Sequence, residues 1–238
     1  MSATNPNKQE IVIIVIGLTG AGKSFFVNAA TNGQNAGAVS HRLTSSRAPS
    51  RLIPLPQDVD GNIVQVVDTQ GFDDTNPNTA DAVTWRNITN QLTRIRAENR
   101  QRLFGAIYLT SFPNNRVQEA DKKNLKTFLL LYGVNVPRTV VLVSNRATRE
   151  QHDELVQLDP WKSTIKDGGQ DARFCGDRGS ALTIVEKAVR RIIEDKRGIE
   201  INEKLITKNL KKLGLSEQEE SEKRRSLWKR FLSWFRPS

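Results

Sequence analysis

One cysteine, Cys175, and two histidines in 238 residues exclude an internal disulfide and leave no zinc-ligand spacing. So little thiol suits a reducing compartment, and a cytoplasmic location is the expectation. Aromatic residues make up only 6% of the chain, and no stretch approaches the roughly 20 apolar residues that a membrane-spanning helix needs. The run IVIIVIGL near the N-terminus leads into Gly-Lys rather than a small-residue cleavage site, so it reads as a buried strand and not as a signal-peptide core. Internal repeats are absent. Acidic residues are outnumbered, 26 against 36 basic, and the formal charge of +10 asks for an anionic partner such as nucleotide, nucleic acid or a lipid surface.

What the chain does have is alternation. Ile11 to Ile16 is a continuous β-branched run, the pattern of a central strand covered on both faces, and similar runs lie at Ile63–Val67, Leu103–Leu109 and Thr139–Ser144. Helical patterns fall between and after them at Lys23–Thr31, Asp81–Arg100, Ala120–Tyr132 and Ser180–Arg197, the last with Leu182, Val185, Val189 and Ile193 at helical spacing. This order predicts an α/β fold with a mostly parallel central sheet flanked by helices. Periodicity vanishes from Gly33 to Pro56, a long loop that can end in an edge strand. The core domain is expected over residues 11–197, after a flexible start at 1–10. From 198 to 238 a charged helical extension is expected, with a stripe of Ile201, Leu205, Ile206, Leu210 and Leu213, an acidic run at 217–222 and a basic-aromatic end.

The strongest chemical signal follows the first strand. GLTGAGKS, Gly17 to Ser24, fits GxxxxGK[ST] and opens a helix. Gly17, Gly20 and Gly22 let the backbone curl, so that N–H groups of the loop, with Thr19, Ala21 and the helix start at Phe25, can face phosphate oxygens. Lys23 would reach the terminal phosphates, and Ser24 would ligate magnesium. IVQVVDTQG then supplies Asp68 for the metal side and, at the fourth position of Asp-x-x-Gly, Gly71, whose N–H can meet a γ-phosphate and move when that phosphate leaves.

The order GLTGAGKS, DTQGFDDT, LFGAIYLTSFPNNR, KKNLKTFLLLYG and VVLVSNRAT resembles the septin-like and immunity-associated (GIMAP-like) GTPases, in particular fungal P-loop G-domain proteins of that type, over residues 11–193. The resemblance implies a G domain that binds GTP or GDP with magnesium and acts as a molecular switch or an oligomerising scaffold. Three departures stand out. The magnesium-binding threonine of the first switch falls near Arg47, with Thr44, Ser45 and Ser46 as neighbouring hydroxyls. Gln70 replaces a proline, and Phe72 occupies the place where a Ras-type protein keeps its water-positioning glutamine, so intrinsic hydrolysis should be slow. Finally, Asn145-Arg146-Ala147-Thr148 stands where Asn-Lys-x-Asp would read guanine. Asn145 remains and Arg146 can lay its stem along a base, but Thr148 lacks the carboxylate, and losing charge-assisted bonds of ~1.5–3 kcal/mol should weaken guanine selectivity by one to two decades. Capping of a helix that begins near Arg149 is an equal reading of Thr148.

RFCGDRGSA, Arg173 to Ala181, sits where the last base-pocket loop would be, and Cys175 within it is expected to be a packed thiol rather than a nucleophile. In the tail, Trp228, Phe231, Leu232 and Phe235 share one helical face and Arg225, Lys229 and Arg236 lie on another, so residues 223–236 are expected at an anionic membrane surface or on a partner. A homodimer or oligomer through the G domain is the other expected partnership, and no nucleic acid is expected, because no recognised module frames the basic residues. The rival readings are a nucleotide-binding scaffold that hardly hydrolyses and has relaxed base choice, and an ATPase or nucleoside kinase, which would need a substrate lid that the sequence does not offer.

Overall fold

A computed structural model describes residues 8–33, 52–72, 80–112, 117–133 and 136–214. Its centre is β1 (Glu10–Gly17), whose six residues Ile11 to Ile16 are wholly buried. A strand hidden on both faces has no reason to alternate, which is why this segment is apolar without interruption. β3 (Ile63–Asp68) and β4 (Leu103–Ser111) run parallel to it on either side, with Ile13 opposite Val66 and Gly105. β5 (Val140–Asn145) and β6 (Gln170–Phe174) extend the sheet beyond β4, also parallel, and β2 (Leu52–Pro54) closes the other edge antiparallel to β3. The strand order is β2-β3-β1-β4-β5-β6. Proline cannot donate to a ladder, and Pro54 sits on the edge strand where that costs least. The edge strand thus forms at the end of the long loop; residues 34–51, with the first-switch candidates Thr44, Ser45, Ser46 and Arg47, lie outside the described residues.

Helices cover both faces. α1 (Lys23–Ala30) packs on α6 (Arg178–Asp195), which lies across β4 to β6. On the other side α2 (Ala80–Glu98) and α3 (Glu119–Tyr132) meet through rings: Trp85 stands 6.2 Å from Phe128, which stands 5.3 Å from Tyr132. α4 (Arg149–Leu155) and α5 (Trp161–Lys166) bridge β5 and β6. The buried face of α6 is Ala181, Ile184, Val185, Ala188, Val189 and Ile192, while Ile193 is exposed. The doublets Ile184-Val185, Ala188-Val189 and Ile192-Ile193 allow two neighbouring stripes, and close approach to the sheet selects the one with small alanines.

The segment after residue 197 begins as packed structure. Ile199 is buried and its N–H donates to the Phe104 carbonyl at 2.6 Å. α7 (Glu203–Lys212) is capped by Asn202, which accepts from the Leu205 N–H, and it lays Ile206 and Leu210 against α3 and α2. Asn209 Nδ2 donates to the Leu130 and Leu131 carbonyls, satisfying orphan acceptors at the end of α3. Among the described residues no helix is long and apolar enough to cross a membrane. The basic-aromatic tail at 223–236 lies outside them.

Candidate functional site

Parallel strands expose their carboxyl ends along one side of the sheet, and the loops leaving β1, β3, β5 and β6 converge there. The loop after β1 is held first by its own backbone: the Ala21 N–H donates to the Leu18 carbonyl at 3.1 Å, and the Thr19 N–H donates across to the Phe72 carbonyl at 2.9 Å. Gly22 then enters α1 at φ 93° with no side-chain cap, and α1 has no acidic residue in its first turn. Its positive end is left for an anion. A Cβ at Gly22 would fall on Asn145 Nδ2, which donates to the Ala21 carbonyl at 2.8 Å. The end of β5 therefore braces the loop after β1.

Lys23 folds back over this loop, its Nζ donating to the carbonyls of Gly17 at 3.1 Å and Leu18 at 2.8 Å. Only 6% of it is exposed, and burial pulls the amine from its ordinary 10.5 down to about 8, against the opposing pull of the Asp68 and Asp121 carboxylates. Gly71 lies directly against it. A side chain there would place Cβ 2.6 Å from Thr19 Oγ1 and 2.8 Å from Lys23 Nζ, so the position admits no larger residue without movement. Gly71 thus carries its backbone to the ammonium group. The next residue turns away: Phe72 is 1% exposed and stacks on Trp85 at 4.4 Å.

Asp68 ends β3 opposite Val15 of β1, and Thr69 fixes the strand end by donating its hydroxyl to the Val15 carbonyl at 2.6 Å. Ser24, half-buried in the first turn of α1, supplies a hydroxyl. One hydroxyl and one carboxylate fit magnesium, a hard ion that keeps several waters and takes its other oxygens from phosphate. Among the described residues no group of three or more His, Cys, Asp or Glu could hold a metal by itself.

At the far end of the cleft the Thr148 question has a geometric answer. Its hydroxyl accepts from the Gln151 N–H at 3.2 Å while its own N–H donates to Gln151 Oε1 at 2.8 Å, a reciprocal capping box at the start of α4. Arg146, at φ 57°, puts its guanidinium 5.8 Å from the centroid of the Phe25 ring. Cys175 is exposed, contrary to the packed thiol expected. The chain turns outward at Gly176, φ 90°, so that Asp177 can cap α6 by accepting from the Ser180 N–H. The candidates Gly17, Thr19, Gly20, Ala21, Gly22, Lys23, Ser24, Phe25, Asp68, Gly71 and Asn145 all lie on these converging loops.

Two polar groups escaped the sequence reading. Asp121, in the first turn of α3, is buried and accepts from the Tyr108 hydroxyl at 2.7 Å; as an acid at a helix start it looked like an ordinary surface partner of the dipole. Ser144, His152 and Asp171 line up with Ser144 Oγ 2.8 Å from His152 Nδ1 and His152 Nε2 3.0 Å from Asp171 Oδ2. This has the outline of a hydrolytic triad, but Ser144 is 0% exposed, so no substrate reaches it. It ties α4 to the sheet instead. Spacing could not reveal either group, since each joins residues from different elements.

A mostly parallel six-stranded sheet with a phosphate-binding loop after β1 and Asp-x-x-Gly after the adjacent parallel strand defines the P-loop G-domain fold. Toc33 from Arabidopsis thaliana has it too. A dimerization-deficient mutant of Toc33 aligns with TM-score 0.60 at 13% identity, covering 81% of this chain and 88% of that one. Toc33 in complex with Mg2+ and GMPPNP gives 0.58 at 14% identity, covering 82% and 89%. Its complex with GDP and Mg2+ gives 0.59 at 13% over the same shares of the two chains, 82% and 89%. At such identity the likeness is one of fold. Neither a family model nor a curated protein matches the sequence.

Proposed function

We propose that this chain is a GTP-binding switch or oligomerising scaffold, of the septin-like and immunity-associated type, that takes its nucleotide with magnesium and hydrolyses it slowly. The observation that carries the reading is the pairing of Lys23 with Gly71: the lysine is wrapped in the loop after β1, and the glycine of Asp-x-x-Gly is pressed against it. A γ-phosphate can be held only between these two, so a triphosphate and a diphosphate must leave Gly71 in different places. Magnesium on Ser24 and Asp68 would neutralise phosphate charge. Phe72 supports slow hydrolysis, since a ring buried against Trp85 cannot orient a water.

Thr148 favours the second reading, a scaffold with relaxed base choice, because its hydroxyl is engaged in capping α4. The dimerization studied in Toc33 supports an association of G domains here as well. A cytoplasmic protein with residues 223–236 on an anionic membrane completes the proposal. Chromatographic identification of the nucleotide carried by purified protein, followed by titration with guanine and adenine nucleotides in magnesium, tests it. Protein that carries none and binds neither sinks it.

A further inference from the structure

Phe25 stands where the base end of a nucleotide would lie, and three observations give it a task. It is exposed by 37% although it is a large ring on the first turn of a core helix. Its neighbours are planar or open: Arg146 above the ring at 5.8 Å, the Phe174 ring tilted beside it at 5.7 Å, and Gly176, where a Cβ would lie 3.7 Å from Phe25 Cε1. Close by, the buried Asn145 turns Oδ1 to no hydrogen-bond partner among the described residues, an acceptor left for a ligand N–H.

We infer that Phe25 and Arg146 form a stacking slot for the nucleobase, in which the base lies on the Phe25 ring and the Arg146 guanidinium covers its other face. This rests on the nucleotide-binding reading above and specifies how the base is held. Two stacked contacts of about 3.5 Å each require roughly 7 Å between the outer planes. The present 5.8 Å must open slightly, and Arg146, exposed on its loop, is the side that can yield while Phe25 stays fixed by Phe174 and α1. Every base has a π-face, so such a slot supplies affinity without choosing among bases. Choice falls to the edge contacts, and there Asn145 Oδ1 can accept equally from the amino group of adenine or the N–H groups of guanine. Thr148, committed to its cap, adds no charge. The slot therefore replaces strict guanine reading with stacking.

The test is calorimetric titration of the full chain with GTP, ATP and inorganic tripolyphosphate, all with magnesium, for wild type, Phe25→Ala, Phe25→Leu and Phe25→Trp. Stacking predicts that Phe25→Ala and Phe25→Leu both weaken GTP and ATP by about tenfold or more, leave tripolyphosphate unchanged, and that Phe25→Trp binds like wild type. The wild type should favour GTP over ATP by less than about a hundredfold. Phe25→Leu matching wild type would reduce the ring to bulk and overturn the slot. A parallel loss of tripolyphosphate would assign Phe25 to the fold of α1 and overturn it too, as would a wild type that ignores ATP. Wild type that binds tripolyphosphate as tightly as GTP defeats the slot alone, whereas wild type that binds none of the three defeats the parent reading with it.

Discussion

Replacing Phe72 by glutamine would restore the residue that orients water in Ras-type proteins, and the surroundings of Phe72 say it should fail. An aromatic side chain buries about 150–250 Å², which at roughly 25 cal/mol per Å² is about 4–6 kcal/mol. Glutamine recovers about half of that packing against Trp85, and its amide, placed where the ring now lies fully buried, adds about 1–3 kcal/mol if it finds no partner. The loss, roughly 3–6 kcal/mol, is a large share of the 5–15 kcal/mol that holds a domain together. Melting should fall by roughly 10 °C or more. Thermal unfolding read beside steady-state phosphate release should show a destabilised variant with no gain in rate, and Phe72→Leu, which keeps the apolar contact, should melt closer to wild type at the same slow turnover. A Phe72→Gln protein that melts like wild type and releases phosphate faster would refute the reasoning, since position 72 would then face the nucleotide.

Lys23 should titrate against the fold. Below pH 8 it is charged in both folded and unfolded chain, so the full penalty of burying it, about 3 kcal/mol for a value moved from 10.5 to about 8, is present; between pH 8 and 10.5 the unfolded chain holds the extra proton and the penalty is relieved as pH rises. Denaturant unfolding should show Lys23→Met as stable as wild type or more so at pH 7, without the rise above pH 8, while triphosphate titration detects no binding; retained binding would remove Lys23 from the site. Thr148→Asp keeps a good cap and adds a carboxylate, so competition binding should show preference for GTP over ATP raised by about tenfold, ~1.4 kcal/mol. A flat ratio would leave position 148 a cap and nothing more. Deleting residues 226–238 should abolish flotation with anionic liposomes and leave melting and nucleotide affinity unchanged; a drop in melting temperature would mean that the tail packs on the domain.

The four long strand runs were legible because burial on both faces leaves no polar residue to obscure them. β6 was not: in QDARF only Phe174 is buried, and an edge strand with one buried residue has the composition of a loop. α5, six residues anchored by buried Trp161 and Thr164, is shorter than two helical turns and carries no period. The phosphate loop was visible because its chemistry is local, confined to Gly17–Ser24. The role of Phe25 was hidden, since it depends on Arg146 and Phe174 from two later loops. Thr148 shows the same limit from the other side, because the sequence allowed both a cap and a base contact and only the hydrogen bonds to Gln151 give its present engagement.

The hydrogen bond from Asn145 to Ala21 spans 124 residues of sequence. A ribosome adding about 5–20 residues per second therefore finishes the phosphate loop roughly 6–25 s before it delivers the side chain that braces it. During that interval β1, apolar on both faces, has only part of its cover, with β4 still to be synthesised beside it. Nucleotide cannot help the early chain fold, because the complete pocket exists only once β5 has docked. Ligand stabilisation acts late, on a nearly finished domain, and the first half of the protein depends on chaperones rather than on its ligand to stay soluble.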